Sequence, residues 1–159
     1  MENKIVMVIG GGILYPCLVS PQDYENVIKH SWSLDGSGYP QTQIDGKLVR
    51  LHRFILGLID PTIYCDHIDR DILNCTRENL RVATPSQNAM NRRKLSGTSS
   101  QYKGVSYHKK NKKWTAYIKK DGKRKYLGSF TSEYEAHLAY EKAASELFGQ
   151  YKLGSVSNG

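Results

Sequence analysis

The sequence predicts an α+β chain in two parts. The first holds a strand–loop–strand–helix segment, and the second is a three-stranded antiparallel sheet packed on one helix. Three observations carry this. Between Tyr64 and Asn88 an apolar run closes on Asp66-His67, a polar loop follows, Leu80 to Ala83 resume a strand, and Thr84-Pro85 opens a helix. From Tyr102 the pattern changes to period-two alternation, and a capped, alanine-rich helical stretch comes after it. Charge changes at the same place: residues 1–93 carry 10 Lys+Arg against 10 Asp+Glu and residues 94–159 carry 13 against 5, so the whole excess of +8 lies in the second part.

In chain order, Ile5 to Val19 reads as a hairpin turning at Gly10-Gly11-Gly12. The triple glycine lacks the Lys-Ser/Thr ending of a phosphate loop. Ser20 and Pro21 suit the cap and first position of a short helix to His30, with Tyr24, Val27 and Ile28 at helical spacing. Trp32, Leu34, Tyr39 and Ile44 read as strand residues broken by Gly36-Ser37-Gly38, and Asp45-Gly46 is a two-residue hairpin turn between 41–44 and 47–50. Leu51 to Gly57 is an apolar helix with His52-Arg53 at its start. Further on, Thr84 caps a helix with Pro85 at its first position, and Gln87 completes a capping box, so Asn88 falls in the first turn. Small and polar residues at 94–101 read as a linker.

Beyond the linker, Val105 and Tyr107 alternate with Ser106 and His108, and Trp114, Ala116 and Ile118 with Thr115, Tyr117 and Lys119. Turns at Lys109 to Lys113 and at Asp121-Gly122 join three strands. Ser132 and Glu135 form a capping box, and Ala136, Ala139, Tyr140, Ala143 and Leu147 line one face of a helix ending at Gly149. That helix covers one face of the sheet. The other presents Ser106, His108, Tyr117, Lys119, Arg124 and Tyr126, and from Tyr102 to Phe130 there are ten Lys+Arg against one acid, Asp121. A basic sheet of this kind can enter a major groove, with the turn lysines on phosphates.

The ordered set Asp66, His67, Asn79 and Asn88 has a chemical logic. A carboxylate and an amide oxygen suit a hard divalent cation that keeps positions open for water and phosphate, and a neutral imidazole near its ordinary pKa can take a proton from the attacking water. Asp66 and His67 converge only if the strand ends there, since neighbours on a regular strand face opposite sides.

From Leu51 to Arg93 these residues resemble the HNH nuclease motif, the ββα-metal or His-Me finger fold of phage and intron homing endonucleases. The resemblance implies that His67 is the general base, that Asn79 braces the loop, and that Asp66 and Asn88 hold a divalent metal, magnesium first and manganese second. The Leu51-His52-Arg53 run also precedes the catalytic hairpin in such nucleases, and it implies a supporting place for His52 and Arg53, with a structural hydrogen bond for His52 and a solvated Arg53 as the alternatives. Asp69-Arg70 stands where the family commonly has an Asn-Gly turn, Asp71 replaces a frequent asparagine, and Cys75 stands where another asparagine is usual.

Tyr102-Lys103-Gly104-Val105, Trp114 to Ile118, Tyr126 to Phe130 and the alanine-rich helix resemble the Apetala/ethylene-response-factor (AP2/ERF) DNA-binding domain. By position, Lys103, Ser106, His108, Tyr117, Lys119, Arg124 and Tyr126 fall where that family contacts DNA. Ser106 and His108 replace arginines of the plant members and Tyr117 a glutamate, so plant sequence preference does not transfer.

The organisation expected is a nuclease domain over 1–93 with its core at 51–93, a linker at 94–101, a DNA-binding domain at 102–153 and a tail at 154–159. The cysteines Cys17, Cys65 and Cys75 are odd in number and lack a CxxC pair, so no disulfide framework is expected, and a zinc site of Cys65, Cys75 and His67 lacks a fourth ligand. No signal peptide and no membrane partner is expected. The partner is double-stranded DNA, without an obligate protein partner, in the cytoplasm of a host cell, a bacterium first. The reading is a site-directed homing-type endonuclease. A DNA-binding regulator with a vestigial nuclease fold is the alternative, and an RNA-directed nuclease stays open as a third class.

Overall fold

The computed structural model describes residues 2–92 and 97–151. The chain divides into two compact units, Met1–Ala83 and Thr84–Gly159. This division falls before the Thr84-capped helix, whereas the sequence places a boundary after it. Of the expected linker, residues 94–96 lie outside the described residues, as does the expected tail at 154–159.

In the first unit, β1 (Lys4–Gly10) and β2 (Ile13–Val19) form the expected hairpin, turning on Gly11 and Gly12 at φ of 56° and 83°. Helix α1 (Pro21–Val27) follows, then β3 (Ser33–Leu34), β4 (Pro40–Ile44) and β5 (Lys47–Arg50), the last two joined at Asp45-Gly46 as their sequence predicts. Helix α2 (Leu51–Leu56) ends on Gly57, whose left-handed φ of 64° serves as its C-terminal stop. Strands β6 (Tyr64–His67) and β8 (Leu80–Ala83) pair antiparallel, and the loop between them contributes a two-residue strand, β7 (Asn74–Cys75). β7 docks parallel beside β2, giving a six-stranded sheet in the order β5-β4-β3-β1-β2-β7. The alternation of β1 puts Val6 and Val8 inward with Cys17, Val19, Val27, Trp32, Leu51, Ile55, Cys75 and Leu80. Cys75 is thus a core residue of the loop between β6 and β8, and it ties that loop to the sheet.

Ser20 stands at the expected N-cap position of α1 with Pro21 behind it, but its side chain does not cap the helix. Ser20 Oγ instead accepts a hydrogen bond from Arg77 N at 2.8 Å. Arg77 also forks onto Asp23 at 2.7–3.1 Å and reaches Ile55 O at 2.9 Å. α1 therefore serves as an anchor for the loop that follows β7.

The second unit opens with α3 (Pro85–Asn91), whose capping box forms as expected: Gln87 N donates to Thr84 Oγ1 at 3.2 Å, and Thr84 N donates to Gln87 Oε1 at 2.7 Å. Strands β9 (Val105–His108), β10 (Lys113–Lys120) and β11 (Lys123–Phe130) make a sheet in the order β11-β10-β9, and α4 (Glu133–Phe148) follows behind its Ser132 capping box. The buried face of α4 is Ala136, Tyr140, Ala144 and Phe148, a strict four-residue row, so Ala144 and Phe148 carry the seam rather than Ala139. Tyr107, expected on the inner face, is 38% exposed and packs on Trp114 across the strands at 4.9 Å. A bulge between Ala116 and Tyr117 shifts the β10–β11 register. Gly104 sits at φ 72°, and a Cβ there would lie 2.2 Å from the Tyr140 ring and 2.5 Å from Tyr117 O. The end of the expected linker is built into this unit: Ser100 Oγ and Gln101 N bond to Glu133 Oε1 at 2.7 and 2.9 Å.

Candidate functional site

β6 ends on the acid–imidazole pair. Asp66 and His67 are 6% and 5% exposed, and their cross-strand neighbours on β8 are Arg81 and Leu80. The turn that follows begins at once: Arg70 N donates to His67 O at 3.0 Å, with Arg70 at φ 70°, the left-handed position that an Asn-Gly turn would fill with glycine.

Asn79 spans the loop. Its Oδ1 accepts from Asp69 N at 3.0 Å, and its Nδ2 donates to Asp69 Oδ1 at 2.8 Å and to Asn74 O at 2.7 Å. Asp69 in turn receives Asp71 N at 2.8 Å and Asn74 Nδ2 at 2.7 Å. Burial alone would raise the Asp69 carboxyl; the hydrogen bonds from Asp71, Asn74 and Asn79 outweigh it and hold it below the usual range. Asp69-Arg70 therefore makes a turn of a different kind from Asn-Gly, with the carboxylate gathering the donors.

His67 lies in an aromatic corner. Its Nε2 is 3.8 Å from Cys75 Sγ, and its ring meets His52 edge-on at 5.1 Å and Tyr39 at 6.0 Å. The Cys75 thiol donates to Ile72 O at 3.6 Å. Burial lowers the pKa of His67, against the opposite pull of Asp69, Asp66 and Asp71, so the ring is neutral at pH 7. His52 is pushed down further, to about 3, by burial first and then by His67, Arg50 and Arg53. Its Nδ1 is buried without a hydrogen-bond partner, so the structural hydrogen bond considered for it does not engage that atom. Arg53 is not a solvated cation: it donates to the carbonyls of Ile63, Leu58 and Asp60 at 2.7, 3.2 and 2.6 Å, closing the segment that leads into β6.

Asp66 has a partner that sequence reasoning missed. Its Oδ2 accepts from Arg81 Nε at 3.0 Å and Nη2 at 2.7 Å. The signal was present in the hairpin register, which sets opposite charges face to face. Asn88 stands on α3, in the second unit, one turn past its cap. Asp66 and Asn88 are each, by chemistry, oxygen donors of the type a hard divalent cation takes. Among the described residues no group of three or more His, Cys, Asp or Glu is arranged to hold a metal.

In the second unit, Tyr117 and Lys119 of β10 stand opposite Tyr126 and Arg124 of β11. The Arg124 guanidinium lies 3.8 Å over the Tyr117 ring, Tyr117 and Tyr126 are 5.2 Å apart, and Tyr126 Oη donates to Ser129 Oγ at 2.7 Å. These residues form one basic, aromatic patch. His108 is exposed opposite Lys113, while the Ser106 hydroxyl is turned to Thr115 Oγ1 at 3.1 Å. Lys103 stands apart: its Nζ donates to the carbonyls of Ala89, Met90 and Arg92 at 2.8, 2.8 and 2.9 Å.

The two units define a class: a nucleic-acid-directed protein in which a histidine-bearing hairpin is followed by a basic sheet. The HNH endonuclease family matches residues 56–90, and the AP2 domain matches residues 100–150. An uncharacterised HNH endonuclease of Acanthamoeba polyphaga mimivirus is 40% identical over 138 residues, which cover 84% of this chain and 71% of the relative. Protein 3.8 of Escherichia phage T7 is 35% identical over 68 residues, 43% of this chain and 56% of that protein. APETALA2-like protein 2 of Oryza sativa subsp. indica is 39% identical over 51 residues, 32% of this chain and 12% of the plant protein. No solved structure matches the chain. The chain belongs to the HNH endonuclease family, with an AP2 domain behind its HNH domain.

Proposed function

We propose that this protein is a divalent-metal-dependent endonuclease of the homing type. It nicks or cuts double-stranded DNA that its AP2 domain selects, in the cytoplasm of a host cell. In this reading His67 takes a proton from the attacking water, while Cys75 and the His52 edge fix the ring. Asn79 holds the loop that presents His67. Asp66 and Asn88 would hold the cation, magnesium ahead of manganese, and the ion would polarise the scissile phosphate and stabilise the leaving oxygen. Tyr117, Lys119, Arg124 and Tyr126, flanked by His108 and Ser106, meet the DNA. The observation that carries the reading is the Asn79 lock, three hydrogen bonds across the loop beside a buried, neutral imidazole. A protein that only binds DNA has no chemical use for it.

One observation favours a second reading, a DNA-binding regulator whose nuclease fold is vestigial: the Asp66 carboxylate already has a guanidinium on Oδ2. A single experiment separates the two. Supercoiled plasmid carrying the protein's own genomic neighbourhood is incubated with wild type or His67→Ala, in magnesium, manganese or chelator. Metal-dependent nicking or linearisation that the variant lacks is expected. If neither protein cuts while both retard the DNA, the endonuclease reading fails and the regulator stands.

A further inference from the structure

α3 has only seven residues, too few to persist in water unaided. What holds it within its unit is the AP2 domain, at three points. At the start, Ser86 Oγ accepts from Asp121 N, in the β10–β11 turn, at 2.8 Å. Further along, Met90 is 5% exposed in a core with Ile118, Tyr140, Ala144 and Phe148, and Tyr140 Oη donates to its sulfur at 3.6 Å. At the end stands Lys103. An ammonium has three hydrogens, and all three go to carbonyls of the last turn, Ala89, Met90 and Arg92. Those groups have no partner inside the helix, and a cation there also meets the negative end of the helix dipole. Burial, then Arg92, lowers the Lys103 ammonium to about 8, as expected of a cation drawn out of water.

β9 pairs with β10 from Lys113 to Ala116, and Tyr117 N carries the pairing on by donating to Gly104 O at 2.8 Å. The anchors at Asp121 and Lys103 stand at the β10–β11 turn and just ahead of β9. A cavity of about 430 Å³ lies here, its walls including Ala89, Arg92, Tyr117, Lys119 and Arg124. Ala89 of α3 and the residues of the basic patch thus line the same pocket.

From this geometry we infer that Lys103 is a positioning residue: it locks α3, the helix that carries Asn88, onto the AP2 domain, so that the domain gripping DNA also sets the pose of the nuclease helix. Its role is then distinct from the phosphate contact that its place in the sequence implies. The catalytic consequence rests on the endonuclease reading; the locking does not.

The test is Lys103→Met in the full chain, which keeps the stem and removes the three donors. Hydrogen exchange over residues 86–92 is expected to rise at least about tenfold, with exchange over β10 and β11 unchanged. The salt slope of DNA affinity stays as in wild type, because no phosphate contact is lost. Cleavage at saturating DNA falls at least about tenfold while Kd moves less than about twofold. The proposal is overturned if exchange over 86–92 is unchanged, if the salt slope falls by about one, or if cleavage at saturating DNA is unaffected. Should the wild type cut no DNA, the endonuclease reading fails, and exchange with salt slope still decides the lock. Should exchange rise over the whole unit, the milder Lys103→Gln, whose amide has only two donor hydrogens and no charge, replaces it under the same criteria.

Discussion

At the scale of single residues, the hairpin keeps ionisable groups where burial governs them, and this gives two measurable effects. His52 has a folded pKa of about 3 against an ordinary value near 6.5. Between those values the unfolded chain binds a proton that the folded chain refuses, so stability is complete above pH 6.5 and is lost as pH falls. Urea unfolding should show a loss of about 2 kcal/mol for this group between pH 7 and pH 5, and His67, also lowered, acts in the same direction. In His52→Gln the pH dependence should shrink; a variant with the wild-type slope would refute the assignment. The Asp66–Arg81 pair, with side chains 7% and 12% exposed, gives the second effect. Arg81→Ala removes the guanidinium from a buried carboxylate and should cost about 3 kcal/mol in the same assay, whereas an exposed pair would cost under about 1 kcal/mol.

Secondary elements were legible in the sequence where their signal is local. The Thr84 and Ser132 capping boxes, the Asp45-Gly46 turn and the three strands of the second unit depend on neighbours a few residues apart, and each formed as read apart from the outward turn of Tyr107. What escaped depends on distant partners. Ser20 has the composition of a cap, but Arg77, 57 residues away, offered it a better donor. Lys103 reads as a surface lysine until α3 folds beside it. Arg81 becomes visible only once the hairpin register is fixed, and α3's allegiance to the second unit is a matter of packing around Met90 that no periodicity announces. The candidate site was legible as residue types in order, and its second layer of Cys75, Tyr39 and Arg81 was not. Gly104 illustrates the same limit and offers a test. Its left-handed φ and its closeness to Tyr140 and Tyr117 leave no room for a Cβ, so Gly104→Ala combines backbone strain with overpacking. A loss of about 2–4 kcal/mol from the second unit is expected, read as a lowered urea midpoint by tyrosine fluorescence, and a midpoint within error of wild type would contradict the packing described.

Taken whole, the chain separates its chemistry from its charge. The described residues include no helix long and apolar enough to cross a membrane, and the excess of +8 belongs wholly to the residues after Arg93, as a polyanion-binding module requires. Such a division makes DNA affinity fall steeply with salt, since each phosphate contact releases counterions and adds about 0.9 to the log–log slope. Position within the AP2 domain then decides which cations count. Lys119 and Arg124 stand opposite each other in the exposed aromatic patch, while Lys142 is exposed on α4, the helix that covers the other face of the sheet. Lys119→Gln and Arg124→Gln should each lower the slope by about one. Arg124→Gln should also lose discrimination between target and random DNA, because it removes the cation from the Tyr117 ring along with the charge. Lys142→Gln should leave both the slope and the discrimination unchanged. Fluorescence anisotropy of labelled duplex between low and moderate salt reads all three, and equal loss of slope in the Lys142 variant would show that DNA is held by diffuse charge rather than by this face of the sheet.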